Sequence, residues 1–561
     1  MSTPPPPSQP PSGGFGAPQD PPPAQPPAPP APPQQPPTQP AYGYPQQPDP
    51  GYGYPQQPGT PPPFGPPTTP MYTPQAPAGG AGGGGNDVRT QLMIVGAALL
   101  AIVLIVGGGF WYVSDDGGGR NDTADSGSAK PGDDKSQPGA GGTEKVPANT
   151  KSKVLLNQPS PAPDEMVQVP GSWLTDTTYV KSDVYKIVGY NLVDGGKKWE
   201  VPLPGELCGA TPHVTDKKSA VIFRPAKPTP EAKYPPCTEV AVIDLEAGKL
   251  VWTGNAKSAT SGDKPVSYSE ITLSGQTVAA GGTSGGAAWN LADGKSLWLP
   301  KTDGEGCRDA GYAGGEALAV IRKCGQSSTP TLYAQVLDPA TGAPQSSYKL
   351  SAGIDYASIV STKPLIVAAD VGKTAKNATG VSDLFVVDPA GQLKARISLS
   401  SGNYGGECNT EVESCFGFVV GNGKVYLPSY EHQGQDPYAK TNELLSFDLE
   451  TGKQTNEAAA AGERYKLFPL RMDGPNIIAY KEPPYDKGGQ IVSIDGKTMK
   501  ETVLMENPSD KTTQRIETAY SPDHHEYRYH NGKLFLARTS VKKPYSSTSD
   551  PEYIFSSFTA S

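Results

Sequence analysis

The sequence predicts an all-β domain over residues 153–561, an eight-bladed β-propeller with a seven-bladed ring as the alternative. Three observations carry that prediction. From residue 153 onward, short apolar runs alternate with turns rich in Gly, Asp, Asn and Pro, the texture of strands rather than helices. An internal repeat is also present: an apolar strand, an acidic turn carrying Gly and a second short strand recur in residues 185–203, 240–253, 287–299, 333–350, 384–399, 444–458 and 491–505. Finally, the turns from Asp194-Gly195 to Asp495-Gly496 recur with a mean spacing near 50 residues, the length of one four-stranded blade.

Most copies follow a further strand, as in residues 219–225, 317–323 and 424–430. The blade count comes from what the seven copies leave over. Residues 525–531, 533–539 and 552–558 are three strands lacking a fourth, and KVLLNQP at 153–159 is a strand without a blade. Pairing these four closes the ring and removes two exposed edges, which gives eight blades.

Residues 1–91 carry no such pattern. The 561-residue chain has 64 prolines and 66 glycines, and half of the prolines fall in the first 80 residues. Such a segment has too little apolar bulk to offset the entropy of ordering its backbone, and a disordered Pro/Gly/Gln-rich tail is expected. Its proline runs favour polyproline II, and a Tyr-Gly-Tyr-Pro-Gln-Gln-Pro unit occurs at 42–48 and again at 52–58. It is a solvated filler, a condensate-forming spacer or a docking tail for an aromatic-lined groove on a cytoplasmic partner.

Residues 92–113 are 22 uncharged positions that, as a helix, extend about 33 Å and cross the hydrocarbon core. Phe110, Trp111 and Tyr112 then fall at an interface. The span starts too far from the N-terminus for a signal peptide, so an uncleaved single-pass anchor is expected. Residues 114–152, rich in Gly, Asp, Ser and Lys, read as a flexible linker. All six cysteines follow the anchor and none precede it, which places the C-terminal domain in an oxidising, extracytoplasmic compartment and the N-terminus in the cytoplasm. The net charge of −9 argues against nucleic acid as a partner.

The repeats resemble those of the quinoprotein-like (PQQ-like) β-propellers, whose signature is A-x-D-x-x-T-G-x-x-x-W. Residues Val242 to Gly248 with Trp252 match well, as does Asp293-Gly294 with Trp298; Asp448 to Gly452 has the turn alone, and Asp194-Gly195-Gly196 reaches Trp199 one residue early. The resemblance implies that Trp199, Trp252 and Trp298 dock between neighbouring blades. Membrane-anchored propellers of actinobacteria have a similar layout. Propellers of this class also serve as external sensor halves of Ser/Thr kinases and as scaffold lipoproteins in outer-membrane assembly, but no kinase motif precedes this anchor.

Propeller topology sends the connections between blades, and the loops between second and third strands, to one face. Cys208, Cys237, Cys307, Cys324, Cys408 and Cys415 all fall in those segments, predicting Cys208–Cys237, Cys307–Cys324 and Cys408–Cys415. The same face is expected to carry Tyr234, Tyr438, Tyr485 and Tyr545, each beside a proline, as candidate binding loops; the competing reading packs each tyrosine on its own loop. No metal or cofactor site is recognised. The resemblance implies calcium ligands and, in the alcohol dehydrogenases, adjacent cysteines, and neither is found here. The cluster DHHEYRYH at 523–530 alternates as a strand and reads as a polar outer strand rather than a metal site. Asn121 and Asn377 fit the glycosylation pattern. The expectation is a non-catalytic binding, scaffold or sensor module for a protein or envelope ligand. The alternative is a quinone-dependent or other enzyme using the central funnel.

Overall fold

A computed structural model describes residues 144–257, 264–301, 306–326, 328–375, 380–400, 402–435, 439–544 and 551–561. The expected tail 1–91, the span 92–113, linker residues 114–143, Asn121, Asn377, Tyr438 and Tyr545 lie outside the described residues. Among the described residues, no helix is long and apolar enough to cross a membrane.

Eight four-stranded antiparallel sheets form the blades of a β-propeller. Blades 1 to 7 span residues 172–202, 207–254, 270–298, 308–349, 357–398, 419–460 and 466–506. Blade 8 is composite: Glu526–His530, Lys533–Ala537 and Tyr553–Thr559 take Lys153–Pro159 as their outermost strand, pairing Lys153 with Thr559 and Gln158 with Phe555. First strands of adjacent blades meet around a central channel. We call the face bearing the inter-blade connections and second-to-third strand loops the loop face. The opposite one is the turn face.

Each strand pair is set by its turn. In blade 2, Asp244 Oδ1 accepts from the N–H groups of Glu246 (3.0 Å) and Ala247 (2.8 Å), and Gly248 completes the turn at φ 64°, where a side chain would be strained. A Cβ at Gly248 would also sit 2.2 Å from the ring of Trp199, the outer-strand tryptophan of blade 1. Trp252 packs likewise on Gly294 of blade 3 and Trp298 on Gly342 of blade 4, so all three tryptophans bridge neighbouring blades. Where the tryptophan is missing, the following turn meets smaller partners: Gly391 lies against Ser347, and Gly195 of blade 1 against Leu156. Between the blades the flat sheet faces bury one another, as Tyr179 of blade 1 does by stacking on Phe535 of blade 8 at 3.9 Å.

Two sequence expectations are corrected, and one element is added. The folded part begins before residue 153: Asn149 N donates to Ser561 O (2.7 Å), and Thr150 and Ser152 exchange backbone bonds with Glu506, so residues 144–152 are not a free linker. The domain holds one helix among the described residues, Lys511–Thr518, in the connection from blade 7 to blade 8. Asp510 caps it, and its Glu517 accepts from Gly489 N and Asn507 Nδ2, tying the helix to the blade 7 loop. Glu526–His530 is the innermost strand of its blade, not an outer one; its polar side chains alternate because one face of the strand lines the channel.

Replacing Trp252 with Ala uncovers the blade 3 turn and removes the donor to Leu291 O (2.9 Å). Because the ring is only partly buried, the expected loss is about 2–3 kcal/mol, read from the chemical denaturation midpoint; a loss within about 0.5 kcal/mol would mean the ring does not couple the blades.

Candidate functional site

The three disulfides join Cys208 to Cys237, Cys307 to Cys324 and Cys408 to Cys415. The first two staple the start of an inner strand to the end or following loop of its neighbour on the loop face. The third does something the sequence did not reveal. It closes a hairpin, Glu407–Cys408 against Cys415–Phe416, whose tip descends into the channel.

That tip is held from several blades at once. Ser358 Oγ of blade 5 donates to the carbonyls of Asn409 and Glu411, and Ile359 N to that of Val412 (2.6 Å). Val412 is buried beside Ala313 and Ile359. From blade 3, Glu270 Oε2 accepts from Val412 N (2.8 Å), and Thr272 Oγ1 donates to Glu413 Oε2 (2.6 Å). Glu413 Oε1 accepts from Gly314 N of blade 4 (2.8 Å) and lies 2.7 Å from His213 Nε2, just past the inner strand of blade 2. Gly311 leaves room for the Glu270 carboxyl, since a Cβ there would lie 1.9 Å from Glu270 Oε1 and would displace it. The hairpin therefore fills the sector of the channel bounded by blades 2 to 5.

Inside the channel, the Glu270 carboxyl and the His213 imidazole both depart from their ordinary values. Burial pushes Glu270 up to about 8, with the Glu411 and Glu413 charges adding to it against the opposing Val412 N–H. Burial would lower His213, but the adjoining Glu413 carboxylate prevails and raises it. The cluster clamps the hairpin to blades 2, 3 and 4.

The turn-face mouth of the channel lies on the other side of the ring, where Trp173, Tyr527, Tyr529, Arg471, Arg528 and His530 line a cleft of about 470 Å³. On the loop face, a cleft of about 360 Å³ between blades 6, 7 and 8 is acidic, with Glu407, Glu431, Glu482 and Asp523 around Lys466. Lys466 Nζ bridges Glu482 (2.8 Å) and Glu431 (3.0 Å). Burial, with Glu407 and Glu482, raises Asp523. Tyr234 and Tyr485 stand on this face 72% and 84% exposed, each beside a cation, Lys233 or Arg464. They do not pack down on their loops. Among the described residues, no group of three or more His, Cys, Asp or Glu is arranged to hold a metal ion.

Eight blades, the Asp-to-Gly turns and the bridging tryptophans define a PQQ-like β-propeller. The chain matches the family model described as outer membrane protein assembly factor BamB over residues 160–305 and 236–495, more than half of its length. It belongs to that family. No curated protein sequence matches it. Among solved structures, BamB from Moraxella catarrhalis is similar at 12% identity and a TM-score of 0.36, covering 71% of this chain and 99% of that one. A europium-containing methanol dehydrogenase is similar at 12% identity and a TM-score of 0.42, covering 74% and 95%.

The clamp predicts a pH dependence. A carboxyl raised in the folded state, like an imidazole raised there, adds stability that is complete below its unfolded value and is lost as pH climbs through its folded value. For Glu270 that window runs from about 4.5 to about 8. Stability is therefore expected to fall between pH 5 and 9, and Glu270→Gln, which keeps the acceptor for Val412 N–H, should remove on the order of 2 kcal/mol of that fall. Denaturation midpoints at pH 5, 7 and 9 check this; parallel curves for the two proteins would refute it.

Proposed function

We propose that the protein is a single-pass, membrane-anchored, extracytoplasmic scaffold or sensor whose propeller binds a protein or cell-envelope ligand through its loop face, without catalysis. In this reading the N-terminal tail is cytoplasmic and recruits a partner there, and residues 92–113 hold the bilayer. The observation that carries the loop-face assignment is the placement of Tyr234 and Tyr485. They are exposed on proline-bordered loops of the stapled face, whereas Glu144, the first described residue, lies at the opposite face. Tyrosine supplies rigid amphipathic contact area at small entropic cost, and an interface needs few such anchors. The filled channel sector supports a non-catalytic role, since a ligand there would have to displace the clamped hairpin.

Changing Tyr234 and Tyr485 together to Ala should abolish capture of partners from envelope extract by the immobilised protein while leaving stability within about 1 kcal/mol of the parent. Undiminished capture would move the binding surface elsewhere. The enzyme alternative is tested by supplying quinone and calcium and following dye reduction; clear turnover would overturn the non-catalytic reading.

A further inference from the structure

We propose that the turn-face mouth of the central channel is a binding site for a carboxylate on an extended peptide, and that residues 144–152 are the ligand the chain supplies to it. The site is built from two blades. Arg471, on the inner strand of blade 7, donates through Nη2 to Glu144 Oε1 at 2.5 Å. His530, on the inner strand of blade 8, places Nδ1 at 3.0 Å from the same oxygen, and Asn531 N donates to the other oxygen at 2.9 Å. The Glu144 amide is also taken, by Asp473. With three donors converging on it, the Glu144 side chain is 2% exposed.

An ionised carboxylate removed from water is stable only when its lone pairs are met, and charge-assisted bonds from guanidinium, imidazole and amide meet them with defined geometry. Burial alone would raise the Glu144 carboxyl. The bonds from His530 and Asn531 and the Arg471 charge instead hold it below the usual carboxylate range. Protonating the Glu144 carboxyl, which removes the charge these donors meet, therefore takes more acid than an ordinary glutamate does.

The rest of the segment shows how a peptide is read. Pro147 lies close to Gly532, Asn149 exchanges backbone bonds with Ser561, and Thr150 and Ser152 bond Glu506 at the edge of blade 7. The ligand is thus an acidic residue followed, five positions on, by a short strand-like stretch. Other described residues line the same cleft. Arg528, which spends Nε on Ser172 O and Nη1 on Tyr527 O, lines it with a guanidinium edge. While Glu144 is seated, the fixed part of the described chain begins at the channel mouth. Once Glu144 is released, the last fixed point is Asn149 at the rim. The proposal is independent of what the loop face binds.

The test uses the full chain and its own trypsin sites, Lys145 and Lys151. Glu144→Gln should speed cleavage after Lys145 by about tenfold or more and accelerate amide exchange at Asn531, while cleavage after Lys151 and the denaturation midpoint stay at the parent values. Arg471→Met should reproduce the Lys145 and Asn531 effects. At millimolar concentration, an acetylated peptide of residues 141–148 should restore protection of the Asn531 amide in the Glu144→Gln protein, and the same peptide with glutamine in place of its glutamate should not. Parent-like cleavage after Lys145, equal acceleration at both lysines, or a peptide effect that is absent or indifferent to the carboxylate would each overturn the proposal.

Discussion

Everything in this fold depends on closing the ring. Blade 8 has only three strands of its own, and the fourth, Lys153–Pro159, arrives from the other end of the domain to pair with Tyr553–Thr559. Without it the outermost strand of blade 8 would be an open edge and the turn glycine of blade 1 would lose Leu156. The seam is reinforced at the inner radius. Lys181 of blade 1 is buried against Glu526 of blade 8 at 3.3 Å, and Gly171 N donates to the same carboxylate at 2.7 Å. Such a pair is costly to break from one side, because the partner left behind is a buried charge. Register and closure are thereby coupled.

The channel that closure creates is not left to solvent. One sector receives the hairpin of residues 407–416, and the mouth at the other end receives Glu144. Both insertions are polar, and each is satisfied by groups drawn from more than one blade: Thr272, Gly314 and His213 for Glu413, and Arg471, His530 and Asn531 for Glu144. A β-propeller's inner strands present unlike side chains from each blade, so only a ligand reaching several of them at once can be fully bonded. The segments inserted here have that reach because they are tethered nearby.

The architecture was legible in the sequence because its determinants are local. An Asp-to-Gly turn needs only neighbouring residues to form, and seven copies at a regular spacing reveal blades without any knowledge of their packing. Cysteine positions could be mapped for the same reason, since topology alone sends them to one face. The channel contents were not legible. Nothing in the stretch from Asn409 to Ser414 announces that it leaves the loop face, because its partners Glu270 and His213 lie far away in the chain. Glu144 sits among Gly, Thr, Lys and Pro, a composition that reads as linker until Arg471 and His530 are brought to it. The helix at Lys511–Thr518 leaves little trace in the sequence because it is short, with a cap at Asp510 but no Glu at the capping-box position. The strand Glu526–His530 has an alternation that fits a polar outer strand and a polar channel wall equally, so its place in the blade is not legible from it.

The composite blade also bears on how the domain is made. A chain emerging from its N-terminus exposes Lys153–Pro159 first, yet the Ser557 hydroxyl that bonds Leu156 O comes 401 residues later. During synthesis, and during any transfer across a membrane, the earliest strand has no native partner and its backbone donors stay available to other chains. Biogenesis of this domain therefore carries an aggregation-exposed waiting period that ends only when its final strand is delivered, and a chaperone acting on it would do most good by shielding that one early segment.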